Sequence, residues 1–330
     1  LRSCAALAAA REGGARLMPR MQASLLADGR LHLNDGPIDL VIFADGTPQD
    51  VTRAFEAAVA RFTTALDELC SELPLLRSVC NSRSPAPSGA IAMRMDRATR
   101  PLGDARFITR MAAVAGSVAD EILSVMLRSA PLRRAYVNNG GDIALHVAQD
   151  ASLNVGIVDD PRAPTLFGAS TLKAWHGVGG VATSGWRGRS FSLGIADAAT
   201  VLAADAARAD AAATLIANAI DLRGHPGITR TPADEIDPQS DLGARPVTRA
   251  VADLSGDEIE AALANGATEA QRLIDQGAIV VASLRLQGRT QIVGALPPAP
   301  LANGKPALSR TYTAPPRRED RTWQLTSAKS

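Results

Sequence analysis

Asn138-Asn139-Gly140-Gly141-Asp142 sets two glycines and a carboxylate between runs of strand character. A glycine pair lets the backbone take positive φ and bring its N–H groups close to a ligand. The same residues also make an ordinary hairpin turn. A second stretch, Val181-Ala182-Thr183-Ser184-Gly185-Trp186-Arg187-Gly188-Arg189-Ser190, places small hydroxyl residues and glycines ahead of two arginines. Hydroxyls and backbone N–H groups can hold phosphate oxygens, arginine can pair with them bidentately, and Trp186 could stack on a flat ring. A surface loop with solvated arginines fits equally well. The third stretch is Ala209-Asp210-Ala211-Ala212-Ala213-Thr214. In a helix Asp210 and Thr214 share one face, one turn apart. A carboxylate and a hydroxyl so placed suit Mg2+, which prefers hard oxygen ligands and often shares them with a substrate phosphate. The plainer alternative is a solvent-facing aspartate on an alanine helix.

Other polar groups offer less. His176 lies in Trp175-His176-Gly177-Val178-Gly179-Gly180 and is the histidine nearest a candidate site. Asp234, Glu235, Asp237 and Asp241 form an acidic loop whose spacing matches no calcium loop. Neither a P-loop nor a G-x-S-x-G elbow occurs.

The elements that must position these residues can be read from periodicity. Ser24–Leu26, Leu31–Leu33 and Ile38–Phe43 are strand-like runs separated by Asp28-Gly29 and Asn34-Asp35-Gly36 turns. Thr47 as N-cap, Pro48 at the first helical position and Asp50 in the first turn open a helix. Its buried stripe runs through Val51, Phe55, Ala58, Phe62, Leu66 and Leu69, and it ends before Pro74. Residues 79–104 read as irregular. Met111–Leu127 reads as a helix holding Gly116, where either a close helix crossing or a ligand explains the glycine. Strands follow at Arg134–Asn138, Ile143–Val147, Leu153–Val158, Val181–Ser184, Phe191–Ile195 and Thr200–Ala203. Asp205–Ile220 is helical, residues 221–247 a polar loop, Gly256–Gln276 helical, and Ala278–Leu286 with Thr290–Val293 a closing hairpin. Strands and helices come in blocks rather than strict alternation, which predicts an α+β fold with antiparallel or mixed sheets and flanking helices.

Composition narrows the class. With 35 Lys+Arg against 34 Asp+Glu there is no basic excess of the kind nucleic-acid binding demands. No apolar run approaches a membrane helix. Cys4, Cys70 and Cys80 are too sparse for a disulfide framework and point to a reducing, cytoplasmic setting. Aromatic residues are only 3%, so the core must rest on Leu, Val, Ile and Ala. Alanine-rich helices would also suit packing between the subunits of a homodimer. We expect residues 1–20 to be a disordered or upstream extension, with Met18 or Met21 as candidate starts. Residues 21–296 form the α+β domain, and residues 297–330 a Pro-rich basic tail lacking fixed structure.

Taken in order, the three stretches resemble the FAD:protein FMN transferase (ApbE) superfamily. That family has a Gly-Gly-Asp turn, a Thr-Ser-Gly loop, and a strand leading to an Ala-Asp-x-x-x-Thr helix. Here these are Gly140-Gly141-Asp142, Thr183-Ser184-Gly185, and Thr200–Ala203 followed by Ala209-Asp210 and Thr214. Val114-Ala115-Gly116 with Asp120 echoes an earlier Ala-Lys-Gly…Asp segment. Over its whole length the chain is similar to an uncharacterised ApbE-like family. The resemblance implies an ApbE-like fold that binds FAD and Mg2+, with FMN passed to a Thr or Ser of a protein acceptor. It would make Asp210 and Thr214 metal ligands, with Asn139, Gly140, Gly141, Asp142, Thr183, Ser184, Gly185 and Arg187 lining the nucleotide site. Two departures stand out. The transferases' His-Ile-x-Asp-Pro segment is missing between Ser190 and the strand, and the family lysine is Ala115. Both bear on activation of an acceptor hydroxyl, for which Asp197 and His176 are the available substitutes. The readings that remain are a nucleotide-binding protein able to cleave or transfer at the pyrophosphate, a non-catalytic binding protein, and an unrelated small-molecule enzyme reusing the pocket.

Overall fold

Leu31, Leu33, Ile38, Leu40 and Ile42 are buried while the residues between them are partly exposed. This period-two pattern gives a sheet with one face on a core. The computed structural model describes residues 20–158 and 166–297. Its strands are β1 (Gln22–Leu25), β2 (Leu31–Asp35), β3 (Ile38–Asp45), β4 (Arg134–Asn139), β5 (Asp142–Val147), β6 (Leu153–Val158), β7 (Leu166–Leu172), β8 (Gly180–Ser184), β9 (Ala198–Ala203), β10 (Ile228–Pro232), β11 (Pro246–Val251), β12 (Val281–Leu286) and β13 (Arg289–Gly294). The main helices are α1 (Pro48–Ser71), α2 (Ala90–Thr99), α3 (Val114–Ser129), α4 (Ala206–Ala219) and α5 (Gly256–Asp275).

Nine strands form one sheet in the order β1-β2-β3-β4-β5-β8-β9-β12-β13, with β10-β11 and β6-β7 as separate two-stranded pairs. Every neighbouring pair is antiparallel. The α+β class expected from the blocks of strands and helices is the one found. Helix α1 packs on α3, α3 on β4 and β5, α4 on β8 and β9, and α5 on β12 and β13. All six residues of β9 are buried, as expected of a central strand covered on both faces. Buried alanines along α4 (Ala206, Ala209, Ala213, Ala217) let that helix lie close to the sheet. On the sheet's other side Leu145, Leu172, Val181 and Leu202 form a smaller cluster, with Leu153 and Val155 against it.

Local signals hold at the helix ends. Thr47 accepts a bond from the Asp50 N–H at 3.2 Å, and Ser255 and Glu258 form a capping box on α5. Elsewhere the structure departs from the sequence reading. The stretch 79–104, read as irregular, contains α2, which buries Ile91, Ala92, Met95 and Ala98. Fully buried Arg110 ties that region together. Its Nε donates to Asp96 at 2.7 Å, and its Nη atoms donate to the carbonyls of Leu75 and Pro85. The polar loop 221–247 contains β10, one helical turn (Ala233–Ile236) and the start of β11. Phe191–Ile195, read as a strand, is not one. The Leu193 N–H donates to Asn218 Oδ1 and the Ile195 N–H to the Ile220 carbonyl, so the end of α4 takes the bonds a ladder would have used.

Cys80 is free and buried. Arg20, assigned by sequence to the extension, pairs with Asp35 at 2.5 Å and Asp67 at 2.8 Å and so belongs with the folded region. Residues 1–19 of the expected extension and 298–330 of the expected tail lie outside the described residues. Among the described residues no helix is long and apolar enough to cross a membrane.

Candidate functional site

Strands β4 and β5 are joined by Gly140-Gly141, with Asn139 opposite Asp142. Both glycines have positive φ, 66° and 114°. The tight turn fixes Asp142 as the first residue of β5, at the end of the sheet. The Gly141 N–H donates to Asn138 Oδ1 at 2.8 Å, closing the turn. Asn139 is buried, and its Nδ2 donates to the Ala115 carbonyl at 3.1 Å, which bolts the turn to the start of α3. Asn139 therefore positions the turn and has its amide committed to the protein.

Three elements meet at Asp142. Burial pushes its carboxyl up to about 7, while the Thr183 backbone N–H and the Arg189 guanidinium pull the other way. Arg189 lies directly over Gly140, where a Cβ would run into its Nη2. Asp142 also raises Asp210 by charge repulsion, second to burial, against opposing bonds from the Gly116 and Ala115 N–H groups. Asp142 and Asp210 are partly exposed as residues, although burial dominates the electrostatics of both carboxyls. The Gly-Gly-Asp turn, the Thr-Ser-Gly loop and the Asp-Thr helix, remote in sequence, are thus brought to one place.

Helix α3 and helix α4 exchange carboxylates there. Asp210 Oδ2 accepts from the Gly116 N–H at 3.0 Å, and Asp120 accepts from the Ala206 and Ala207 N–H groups at 3.0 and 2.9 Å. Each aspartate satisfies donors that a helix start leaves open. Gly116 lies where the helices touch, because a Cβ there would overlap the Ala206 carbonyl. The close helix crossing, not a ligand, accounts for this glycine. Burial pushes Asp120 up to about 7 despite its two N–H bonds.

The remaining sequence candidates divide. Thr214 stands one turn after Asp210 on α4, as expected, and its hydroxyl has no hydrogen-bond partner among the described residues. Thr183 Oγ1 and Thr200 Oγ1 lie 2.9 Å apart, a pairing between β8 and β9 that sequence spacing did not suggest. Ser184 ends β8. Gly185 is demanded by backbone crowding, since a Cβ would overlap the Asp197 carbonyl. Arg187 Nε donates to Asp197 Oδ1 at 2.7 Å and its guanidinium covers Trp186 at 4.7 Å, so it braces the loop. Arg189, two residues on, is the arginine that reaches the crevice. Nothing local distinguishes the two; only the partner Asp197 does.

The two substitutes for a missing base are both engaged. Asp197 Oδ1 takes Arg187, and Oδ2 takes the Gln287 N–H at 2.6 Å. His176 Nδ1 accepts from the Lys173 N–H at 3.1 Å, and burial and Lys173 hold its pKa below the usual histidine value. Among the described residues no group of three or more His, Cys, Asp and Glu side chains is arranged to hold a metal. The oxygen donors available at the crevice are the Asp142 and Asp210 carboxylates and the Thr214 hydroxyl. Hard oxygen groups of this kind fit Mg2+, a cation that commonly takes only one or two protein carboxylates and completes its shell from phosphate and water.

Residues 23–292 match the profile of the family described as AbpE bacteria. The chain belongs to this family. A UPF0280 protein of Archaeoglobus fulgidus is 37% identical over 154 residues, covering 47% of this chain and 60% of that protein. The chain spans less than two thirds of the length of the first curated relatives it matches. Among solved structures, the apbe protein of Thermotoga maritima aligns with a TM-score of 0.43 at 13% identity over 83% of this chain and 96% of that one. The apo flavinyl transferase ApbE of Pseudomonas stutzeri aligns with a TM-score of 0.37 at 14% identity, covering 83% and 94%.

Proposed function

We propose that this AbpE-family chain binds a flavin or related nucleotide together with Mg2+ in the crevice between the Gly140-Gly141 turn, the Thr183–Arg189 loop and the first turns of α4. The observation that carries the reading is the meeting of Asp142 and Asp210, each raised in pKa, beside the Arg189 guanidinium. Two carboxyls that repel one another from different elements, next to a cation, suit a ligand bringing both a divalent metal and phosphate oxygens. Asp142, Asp210 and Thr214 would hold the metal, which supplies Lewis-acid polarisation of a phosphoryl oxygen when bound. Arg189 would pair with a phosphate, and the open face of Gly141 would let the ligand approach the backbone. The flavin itself is proposed from the motif resemblance to the flavin transferases.

Binding without transfer is the second reading, and one observation favours it. The groups that could stand in for the absent histidine, Asp197 and His176, already serve the protein's own backbone and side chains. Cleavage or transfer at the pyrophosphate would then depend on Asp142, because Asp120, raised to about 7 as well, has both oxygens committed to the Ala206 and Ala207 N–H groups.

Calorimetric titration of the full chain with FAD, with and without Mg2+, followed by chromatography of the mixture, tests both readings. Metal-dependent binding that Asp210→Asn abolishes supports the site, and release of AMP supports transfer or cleavage. Intact FAD after hours of incubation supports a binding protein. Absence of any Mg2+-dependent binding of flavin nucleotides overturns the proposal.

A further inference from the structure

A cleft of about 1260 Å³ lies away from the carboxylate crevice. It opens at the other end of α4, around Leu215 and Asn218, whereas Asp210 lies near the helix start. The eight residues from Asp210 to Asn218 place the two about 12 Å apart along the axis. Four arginines line the cleft, Arg106, Arg223, Arg230 and Arg245, against two acids, Asp221 and Glu269.

The two acids are already taken. Arg230 pairs with Asp221. Arg106 pairs with buried Glu269 at 2.9 Å, and Glu269 also accepts from Arg272. Arg223 and Arg245 have no carboxylate partner among the described residues. The Arg245 guanidinium carbon sits over the Phe107 ring, 3.4 Å from its centre, and its protein hydrogen bond is a long one to the Leu242 carbonyl at 3.4 Å. Such a contact engages the face of the ring rather than an acceptor oxygen, so N–H donors are left over. A second donor points the same way. Asn218 Oδ1 accepts from the Leu193 N–H at 2.8 Å and from Ser192 Oγ at 3.2 Å, which settles the amide's orientation. Its Nδ2 has no acceptor among the described residues. Leu193, Leu215 and Leu222 supply an apolar wall beside these donors.

We infer that this cleft is a second ligand site, taking a small organic anion whose phosphate or carboxylate group pairs with Arg245 and Asn218 and whose apolar part lies on the leucines. Nothing in it depends on the nucleotide crevice. The charge balance of the lining, four cations against two paired anions, selects for negative ligands. The Arg245 guanidinium selects for a planar or tetrahedral oxyanion that can accept two parallel N–H bonds.

The test is calorimetric titration of the full chain at low salt with pyrophosphate and, separately, with succinate, in the absence of Mg2+. One-site binding of either probe, weakened at least tenfold by Arg245→Ala and unaffected by Asp210→Asn or Arg189→Ala, is expected; the probe that binds identifies the oxyanion. Phe107→Leu, which keeps the arginine and removes its platform, should weaken binding by a smaller factor of a few. Neither probe binding, or binding that survives Arg245→Ala within twofold, or binding lost with Arg189→Ala, overturns the inference. The last outcome would assign the anion to the carboxylate crevice, and failure of FAD to bind there would leave this cleft untouched.

Discussion

Asp120 and Asp210 each sit at the start of the other's helix: Asp120 on α3 receives the Ala206 and Ala207 N–H groups of α4, and Asp210 on α4 receives the Gly116 N–H of α3. The exchange locks the two helices in one register at the point where Gly116 permits contact. It also ties a candidate metal ligand to a structural task, since the carboxylate proposed to hold Mg2+ is aimed by a helix terminus.

Asp120→Asn should therefore destabilise the fold without reaching the ligand. An amide can accept one of the two N–H bonds and turns a donor toward the other, leaving a buried group unsatisfied. A loss of about 1–3 kcal/mol is expected in urea denaturation. Full stability in that variant would mean the exchange contributes nothing.

Gly116→Ala tests the crossing itself. The added methyl meets the Ala206 carbonyl, so α3 and α4 must separate. A loss of about 1–3 kcal/mol is expected, together with weaker ligand binding because Asp210 moves with α4. A variant as stable as the parent would show that the helices are free to slide.

Binding of Mg2+ should depend on pH in a defined direction. Asp142 titrates at about 7 because burial opposes its charge, and it must lose its proton to ligate a cation. Affinity should rise from pH 6 to pH 8 with proton release, seen as a buffer-dependent heat in calorimetry. The same raised pKa has a counterpart in the metal-free protein. The stability that goes with the neutral acid is complete at acid pH and is lost as pH rises from about 4 through about 7. The melting temperature without metal should fall across that window, and Asp142→Asn should reduce the fall without abolishing it, because buried Asp120, also raised to about 7, contributes over the same range. A flat profile in the parent protein would remove Asp142 from the site.

The two arginines of the second loop should separate cleanly. Arg189→Ala should weaken nucleotide binding about tenfold or more, the effect of losing a charge-assisted pair, with the melting temperature unchanged. Arg187→Ala should leave affinity alone and cost less than about 1 kcal/mol of stability, because its ion pair with Asp197 is partly exposed. The reverse pattern would exchange their roles.

Much of the scaffold could be read from the chain. Thr47-Pro48 and Ser255…Glu258 marked their helices, the alternation of Leu31, Leu33, Leu40 and Ile42 marked a half-buried sheet, and Gly140-Gly141 marked the β4–β5 turn, because caps, period and turn chemistry act over a few residues. The order of the Gly-Gly-Asp, Thr-Ser-Gly and Asp-x-x-x-Thr segments also indicated the family. Helix α2, hidden among prolines and glycines, and the β10–β11 hairpin, hidden in a polar loop, escaped because tertiary burial rather than local propensity stabilises them. Phe191–Ile195 had strand residues, but the end of α4 claimed its backbone. The choice between Arg187 and Arg189, the commitment of Asn139 to Ala115 and of Asp197 to Arg187, and the approach of Asp142 to Asp210 were settled only by the fold. Sequence fixes which groups a segment carries and the local shape it prefers; which of those groups find one another across the chain depends on how strands and helices far apart in sequence are packed together.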